Sequence, residues 1–197
     1  MLRQAELTRR TKETEIAATL VLDGSGQIEV DSGVPFFDHM LTGFARHGFF
    51  DLHFKAEGDL QVDAHHLMED AGIVLGQVVR EAVGDKAGIT RFGAALIPMD
   101  DALAQVALDL SGRPFLRYEL PTLRSSQVGN LSLHLFREFF QALVNSGGIN
   151  LHVDLLAGEE PHHAMEAIFK ALGRALDAAV RIDDRNRGIP STKGVLA

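Results

Sequence analysis

The sequence predicts an α+β fold built by tandem duplication of one half-domain. The main observation is a motif of two histidines and a glutamate that occurs twice, as His65-His66-Leu67-Met68-Glu69 and His162-His163-Ala164-Met165-Glu166. More residues match at the same offset, namely Leu75-Gly76 and Ala82-Val83 with Leu172-Gly173 and Ala179-Val180. Upstream, Leu52-His53 corresponds to Leu151-His152. Because only two copies occur, the repeat indicates a duplicated half-domain and not a solenoid.

The first half has the pattern of strands, a helix, strands and a second helix. Asp23-Gly24 lies between two apolar runs, which predicts a hairpin. A helix is expected to begin at Phe36 or Phe37, to run to about His47 and to close at Gly48. The other expected elements are a polar strand edge or arm at 3–12, strands at 14–22, 27–30, 50–56 and 60–62, and a helix at about 64–83 that carries the first motif.

The second half repeats this plan after a boundary near Gly88. Its expected elements are paired strands at 90–99 and 102–110, a strand at 115–120, a polar loop at 125–130, a helix at 132–144, a strand at 150–156, a helix from 162 to about 181 and a turn-like tail at 189–194. Four helices and two sheets bury one core if the helices lie between the sheets. We therefore expect one domain, residues 1–197, made of two pseudo-repeats at about 1–88 and 89–197.

Composition limits the class of protein. The 197 residues are 46% hydrophobic and 23% charged, which fits one compact domain. Since there is no cysteine, disulfides, thiolate zinc sites and cysteine nucleophiles are excluded. The net charge of −8 argues against nucleic acid as a partner. We see no signal peptide, and no apolar run approaches the roughly 20 residues of a membrane helix, so we expect a cytoplasmic protein without a membrane partner.

The repeated motif has the geometry of a metal site at the start of a helix. Residues three and four apart share one helix face, so His65 and His66 both lie near Glu69. Neighbouring histidines point in different directions, so each pair can serve two metal ions. Imidazole together with carboxylate suits Mn, Fe, Zn or Co. The alternative is two helices with surface histidines, but two copies in register, each with a carboxylate, make that the weaker explanation.

Each half is expected to supply one more ligand from the helix before the shared Leu-His pair. His39 precedes Leu52 by thirteen residues, and Glu138 precedes Leu151 by the same number. The repeat therefore predicts Glu138 as the counterpart of His39. His134, one helical turn earlier on the same face, is the alternative. Without a metal, His39 would be a helix-capping or buried histidine, and Glu138 would be an exposed helix carboxylate.

Five segments resemble, in order, those of a known family. They are Pro35-Phe36-Phe37-Asp38-His39-Met40-Leu41, Asp63-Ala64-His65-His66-Leu67-Met68-Glu69-Asp70, Asp109-Leu110-Ser111-Gly112-Arg113-Pro114, His162-His163 with Glu166-Ala167 and Phe169-Lys170-Ala171, and Pro190-Ser191-Thr192-Lys193-Gly194. Over roughly Arg9 to Leu196 the chain resembles the imidazoleglycerol-phosphate dehydratase family, enzymes of histidine biosynthesis. No phosphatase domain is attached, so the resemblance is to the single-function form.

The resemblance implies a fold, an assembly and a cofactor. The family has a ribosomal S5 domain 2-like fold with helices sandwiched between two sheets, and it forms a 24-subunit shell whose active sites are shared between subunits. It binds two Mn²⁺ ions per active site. The metal ligands that the resemblance implies are His39, His65, His66, Glu69, Glu138, His162, His163 and Glu166. Many members have histidine where this chain has Glu138, but a carboxylate can also bind Mn²⁺. Leu67-Met68, where a small polar residue is usual, is expected to be a packing change.

The resemblance also implies a reaction. The family removes water from D-erythro-imidazole glycerol phosphate to give imidazole acetol phosphate, and the metal-bound imidazolate expels hydroxide through a diazafulvene. The implied catalytic residues are Glu13, Glu69 and Glu166, with Glu13 as general base or acid. The implied substrate-binding residues are Glu13, His39, His47, His65, Arg91, Arg113, His162, Lys170, Ser191, Thr192 and Lys193. Arg91, Arg113, Lys170, Ser191 and Lys193 match the family's phosphate pocket.

Three other functions fit the motif less well. A non-catalytic metal-binding or storage shell would use Glu-x-x-His on a helix bundle, but here the order is His-x-x-Glu and strands intervene. A zinc hydrolase would carry His-Glu-x-x-His, which is missing. An RNA-binding module can share the same half-domain plan, since fold does not decide function, but the negative charge argues against it.

Overall fold

The first part of the chain forms a four-stranded sheet and two helices. The computed structural model describes residues 3–186 and 188–196. The strands are β1 (Gln4–Arg10), β2 (Thr14–Val21), β3 (Ile28–Asp31) and β4 (Asp51–Gly58), and the helices are α1 (Pro35–Gly48) and α2 (His65–Val83). The strand order is β1-β2-β4-β3, and β3 runs parallel to β4 while the other neighbours are antiparallel.

The second part repeats this topology. Its elements are β5 (Phe92–Met99), β6 (Ala102–Asp109), β7 (Phe115–Glu119), the short strands β8 (Gln127–Val128) and β9 (Leu131–Ser132), α3 (His134–Gly147), β10 (Asn150–Ala157) and α4 (Pro161–Val180). The main sheet has the order β5-β6-β10-β7, and again its last strand is parallel to its neighbour. Apart from the β8–β9 hairpin, both parts therefore have the same elements in the same order, as the duplicated motif predicts.

The helices form a layer between the two sheets. Helix α2 packs on β1 and β2, while α4 packs on β5 and β6. Between the sheets, α1 packs against α4 and α2 packs against α3. This arrangement confirms the predicted α+β fold with helices sandwiched between sheets. Among the residues that the structure describes, no helix is long and apolar enough to cross a bilayer.

Aromatic rings fill the core between the helix pairs. Phe37, Phe139 and Phe169 are fully buried, and the ring centroids of Phe37 and Phe139 are 5.2 Å apart in an edge-to-face arrangement. Phe139 stacks on Phe169 at 5.8 Å. Each buried aromatic side chain removes roughly 150–250 Å² from water, so these rings bind helices of both parts into one core.

The repeated Leu-Gly pairs mark places where helices approach each other closely. A Cβ atom at Gly76 of α2 would lie 2.5 Å from the carbonyl oxygen of Leu143 in α3. A Cβ atom at Gly173 of α4 would lie 2.3 Å from the carbonyl oxygen of Phe44 in α1. Both distances are far below van der Waals contact, so only glycine allows these helix pairs to pack this tightly. The repeated glycine is therefore a packing requirement.

The predicted hairpin at Asp23-Gly24 is wrong. Strand β3 does not pair with β2 but lies parallel to β4, with Ile28 opposite Leu52. The reason is tertiary, because the Asp51 carboxylate accepts hydrogen bonds from the backbone N–H groups of residues 25, 26 and 27 at 2.6, 2.7 and 2.8 Å. These bonds hold the loop against the start of β4, so the strand that follows pairs with β4 and not with β2.

Two smaller expectations also differ from the structure. Residues 60–62 form a turn and not a strand, closed by a 2.8 Å hydrogen bond from the Val62 N–H to the Asp59 carbonyl. Residues 125–130, expected as a loop, contain strand β8. Both segments are only two or three residues long, so their polar or apolar pattern carries little information. The polar segment at 3–12 forms β1, an edge strand paired along its length with β2, as expected.

Candidate active site

Three predicted metal ligands from distant parts of the chain come together at the junction of α1 and α4. His39 Nε2 lies 3.4 Å from Glu166 Oε2, and His162 Nε2 lies 3.6 Å from the same oxygen. One ligand atom from each residue lies within 4.8 Å of the others. His39 is exposed, while His162 and Glu166 are half-buried. The three side chains thus surround a space that a single metal ion could occupy, open to solvent on one side.

Local structure explains why these side chains meet. Pro161 begins α4, and the Glu160 carboxylate caps it by accepting a hydrogen bond from the His163 N–H at 2.8 Å. The helix therefore begins at the histidine pair, which places His162 one turn before Glu166. From α1, the ring of Phe36 packs edge-on to the His162 imidazole with centroids 5.0 Å apart. The imidazole thus packs on Phe36 while its Nε2 lies 3.6 Å from Glu166 Oε2.

Neighbouring side chains shift the pKa values of Glu166 and His47. Lys170 Nζ donates a hydrogen bond to Glu166 at 2.7 Å. Burial acts to raise the pKa of Glu166, but the hydrogen bonds from Lys170 and His39 outweigh it, so the pKa is lowered. The pKa of His47, in the last turn of α1, is lowered by burial and by Lys170 and Arg174. The Glu166 carboxylate of the cluster is therefore kept ionised.

The first motif is arranged in the same way along its helix. His65 Nε2 lies 3.8 Å from Glu69 Oε2. Glu138 is the fifth residue of α3, as His39 is the fifth residue of α1, so the helical register agrees with the alignment of the two halves. The side chain of Glu138 contacts His134 at 3.2 Å and forms no compact three-ligand group with His65 and Glu69. Within residues 3–186 and 188–196, only the cluster around Glu166 brings three such ligand atoms together.

The second histidine of each motif is held by a carboxylate from a turn. His66 Nδ1 lies 3.0 Å from Asp59 Oδ2, and this hydrogen bond raises the pKa of His66. His163 Nδ1 lies 2.8 Å from Asp101 Oδ1, which raises the pKa of His163 in the same way. Sequence reasoning missed both aspartates. Their spacing from the histidines differs between the halves, so the repeat contains no signal for them.

Glu13, the implied general base or acid, lies in the turn between β1 and β2. Its carboxylate is 55% exposed and stands 3.9 Å from His66 Nδ1. The turn is anchored below by Thr14, whose hydroxyl donates to the buried Asp70 of α2. Arg9 Nε donates to the other oxygen of Asp70 at 2.9 Å. The Glu13 side chain itself is thus accessible beside the start of α2, near the first motif.

A cationic cleft lies beside the C-terminal tail. Residues that line its volume of about 770 Å³ include Arg91, Arg113, Ser191, Thr192 and Lys193. Arg91 is fixed by Asp109 at 2.7 and 3.0 Å, and it donates a hydrogen bond to the Pro190 carbonyl at 2.8 Å, which ties the tail to the cleft. Among the residues expected to hold phosphate, Lys170 does not line this cleft but pairs with Glu166. Within this chain, Lys170 is thus separate from Arg91, Arg113 and Lys193.

The carboxylate and imidazole cluster lies at the start of α4, and the cationic cleft lies near its end, where the Arg91 N–H bonds to the Ala179 carbonyl. Metal-dependent enzymes that act on phosphorylated small molecules need both kinds of site. Comparison with known proteins identifies the family. The imidazoleglycerol-phosphate dehydratase family model matches residues 32–176. The protein of that name from Moorella thermoacetica is 55% identical over 197 residues, the whole of both chains. The one from Syntrophobacter fumaroxidans is 56% identical over 194 residues, 98% of each chain.

Solved structures agree with the sequence comparison. The crystal structure of the enzyme from Pyrococcus furiosus, in complex with (S)-C348, has a TM-score of 0.83 at 37% identity and covers 96% of this chain and 100% of its own. The enzyme from Staphylococcus aureus has a TM-score of 0.79 at 37% identity, covering 91% of this chain and 99% of its own. The chain belongs to the imidazoleglycerol-phosphate dehydratase family. It is therefore a hydro-lyase of histidine biosynthesis, in a family whose enzymes depend on metal.

Proposed function

We propose that the chain dehydrates D-erythro-imidazole glycerol phosphate to imidazole acetol phosphate, with two Mn²⁺ ions per active site. The observation that carries the proposal is the cluster of His39, His162 and Glu166, whose ligand atoms lie within 4.8 Å of one another. Family membership supports the substrate, since every relative named above is an imidazoleglycerol-phosphate dehydratase. We also propose that residues 1–197 form one domain made of two pseudo-repeats that meet near Gly88.

The residues at the cluster fit a divalent cation that accepts nitrogen and oxygen donors. Two imidazoles and one ionised carboxylate converge from α1 and α4, which is a donor set that Mn²⁺ accepts. In the other half, His65, Glu69 and Glu138 would form the equivalent set. His66 and His163 would complete the ligands. When bound, the metal supplies Lewis acidity and a template for the substrate imidazole.

Proton transfer would fall to carboxylates of this chain. Glu13 is the best placed, because its side chain is 55% exposed and lies beside the first motif, so it can reach a substrate proton. Glu69 and Glu166 would hold the metals and can also exchange protons during the loss of water. His47, whose pKa is lowered by burial and by Lys170 and Arg174, can accept a hydrogen bond from a substrate hydroxyl near the same site.

The substrate phosphate would bind in the cleft by the C-terminal tail. Arg113 and Lys193 provide positive charge there, and Ser191 and Thr192 provide hydroxyl donors. Arg91 already bonds to Asp109 and the tail carbonyl, so it would shape the cleft and offer its remaining N–H groups. Lys170 does not line this cleft and bonds to Glu166, so it would reach the phosphate of a site that is completed by the cleft of a neighbouring subunit.

Assembly into a 24-subunit shell would complete the site. His66 and His163 are 38% and 32% exposed and lie outside the cluster around Glu166. Their Nε2 atoms would bind a metal shared with a neighbouring subunit, with the exposed Asp100 lying 3.4 Å from that of His163. Exposed apolar side chains, among them Phe49, Phe92 and Phe115, offer surface for such contacts. We place the assembled enzyme in the cytoplasm.

A reconstitution assay tests the proposal. Protein stripped of metal by chelation should regain dehydratase activity when Mn²⁺ and imidazole glycerol phosphate are added together. Glu13→Gln should bind Mn²⁺ normally and lose most of its turnover, by a factor of about 10² to 10⁴ for a general base. Full Mn²⁺ binding without turnover in the wild type would contradict the enzymatic proposal and support a metal-storage shell.

A further inference from the structure

The β1–β2 turn and the β5–β6 turn occupy equivalent positions in the two halves, each near a histidine pair. They differ in whether their acidic residue bonds to a histidine. The β1–β2 turn is closed by Thr11 and Thr14, with a 2.8 Å hydrogen bond from the Thr11 N–H to the Thr14 carbonyl. The β5–β6 turn is closed by the pair Met99 and Ala102. The third residue of each turn is acidic, so the turns superpose Glu13 on Asp101.

In the second half, this turn residue holds the histidine. Asp101 Oδ1 lies 2.8 Å from His163 Nδ1. The other Asp101 oxygen accepts a hydrogen bond from the Glu159 N–H at 2.9 Å, which fixes the carboxylate in place. Asp100, 68% exposed, lies 3.4 Å from the opposite ring nitrogen, Nε2. Both oxygens of Asp101 are therefore used, one by His163 and the other by the loop before α4.

In the first half, a different residue makes the contact. Glu13 remains 3.9 Å from His66 Nδ1, and the hydrogen bond comes from Asp59 at 3.0 Å. Asp59 directly follows β4, and the residue that directly follows β10 is Gly158, which has no side chain. The same contact to a histidine Nδ1 is thus made from two unrelated positions of the chain.

The hydrogen-bonded network that anchors the β1–β2 turn has no counterpart at the β5–β6 turn. Thr14 and Asp70 are buried and bonded to each other, and Arg9 completes the network. The strand registers and the repeat place Ile97, Ala102 and Ala167 at the matching positions of the second half. A polar network therefore holds the first turn through its backbone and Thr14, without use of the Glu13 carboxylate.

We propose that Asp59 and Asp101 are positioning residues that orient His66 and His163 for metal binding, and that Asp59 thereby leaves Glu13 free to act on the substrate. This inference rests on the proposed function. A carboxylate only accepts hydrogen bonds, so the imidazole must carry its proton on Nδ1 and offer the Nε2 lone pair to a metal. Such carboxylate–histidine–metal arrangements contribute about 10- to 100-fold in metal affinity.

Calorimetric titration of metal-free protein with Mn²⁺ tests the proposal. Asp59→Ala and Asp101→Ala should each weaken binding to the metal that takes the affected histidine by about 10- to 100-fold. Asp59→Asn and Asp101→Asn keep an acceptor oxygen and should recover most of the affinity. The matched control is Glu29→Ala, which removes an exposed carboxylate 3.5 Å from His53 on the outer sheet and should leave Mn²⁺ binding unchanged.

Activity measurements separate positioning from catalysis. Asp59→Ala should raise the Mn²⁺ concentration needed for half-maximal activity by the same factor and regain near-normal kcat at saturating Mn²⁺. Glu13→Gln should show the opposite pattern, with normal Mn²⁺ dependence and low kcat. An Asp59→Ala protein that keeps the wild-type unfolding temperature and Mn²⁺ affinity would overturn the inference while the proposed function stands. A wild type that binds no Mn²⁺ would overturn both.

A measurement on the wild type does not depend on how well the variants fold. Nitrogen-15 solid-state NMR of the metal-free protein at about pH 9, where imidazole is neutral, reports which ring nitrogen carries the proton. The inference requires Nδ1–H for His66 and His163. An Nε2–H tautomer at both residues would overturn it.

Discussion

Glu166 is the residue on which the candidate site converges, since His39, His162 and Lys170 all contact its carboxylate. The repeat led to His39 through the distance to a shared Leu-His pair, and the structure brings that side chain to Glu166. The same reasoning assigns Glu138 to the other half, where this chain departs from the histidine usual in the family. At the residue scale, the choice is between Glu138 as a ligand and Glu138 as a partly buried carboxylate that only contacts His134.

Substitution at position 138 answers that question. Because Glu138 occupies the helix position of His39, Glu138→Ala should weaken Mn²⁺ binding at one site by at least about tenfold, as the loss of a ligand or of its partner does. His134→Ala should change the affinity much less. Glu138→His, which restores the common family residue, should bind Mn²⁺ well. A larger effect from His134→Ala, measured by the same titration, would overturn the alignment of the halves.

Acidification should weaken metal binding. The pKa of His66 is raised chiefly by its hydrogen bond to Asp59, and that of His163 by its hydrogen bond to Asp101. A metal needs the neutral imidazole, so protons compete already above the ordinary histidine pKa of about 6.5. We expect Mn²⁺ affinity to fall steadily from about pH 8 to about pH 6, approaching a factor of about ten per pH unit for each protonated ligand. Equal affinities at both ends of that range would contradict this expectation.

At the scale of elements, the helices were the most predictable part of the fold. The helix at 64–83 was expected from its apolar period and is observed as His65–Val83, since one continuous segment decides its own structure. Strand β3 was assigned the wrong partner because three bonds to Asp51, remote in sequence, decide its place. Asp59 and Asp101 were missed for the same reason, as turns bring them to the histidines.

The repeated glycines allow a prediction about helix packing. Gly76→Ala and Gly173→Ala should each lower the free energy of unfolding by roughly 1–3 kcal/mol, because the new methyl group meets backbone atoms of a facing helix. Gly43→Ala is the matched control. A Cβ atom there has nothing within 4 Å, so removal of a helical glycine should raise stability by about 0.5–1 kcal/mol.

Denaturant unfolding at one fixed protein concentration measures these changes, since assembly makes apparent stability depend on concentration. The contrast between buried and open glycines is the informative result. If Gly76→Ala and Gly43→Ala changed stability in the same direction, close helix approach would not explain why the glycine recurs in both halves.

At the scale of the whole molecule, the metal links subunits if the proposed assembly is correct. The cluster at Glu166 uses ligands from one chain, whereas His66 and His163 lie outside it. We therefore expect chelation to break the assembly into smaller species in sedimentation velocity experiments, and added Mn²⁺ to restore it. The control is chelator already saturated with Mn²⁺. An unchanged sedimentation coefficient, with metal shown absent by elemental analysis, would contradict shared sites.

The pairing of helices has a consequence for the origin of the chain. Helix α1 packs on α4 and α2 packs on α3, so both main contacts in the helix layer join a helix of the first half to one of the second. His39 likewise meets Glu166 across that junction. A solitary ancestral half-domain would have left its apolar helix faces and its ligands without partners. It would need a second copy to cover them, so each half of this chain takes the place of the partner in such a homodimer.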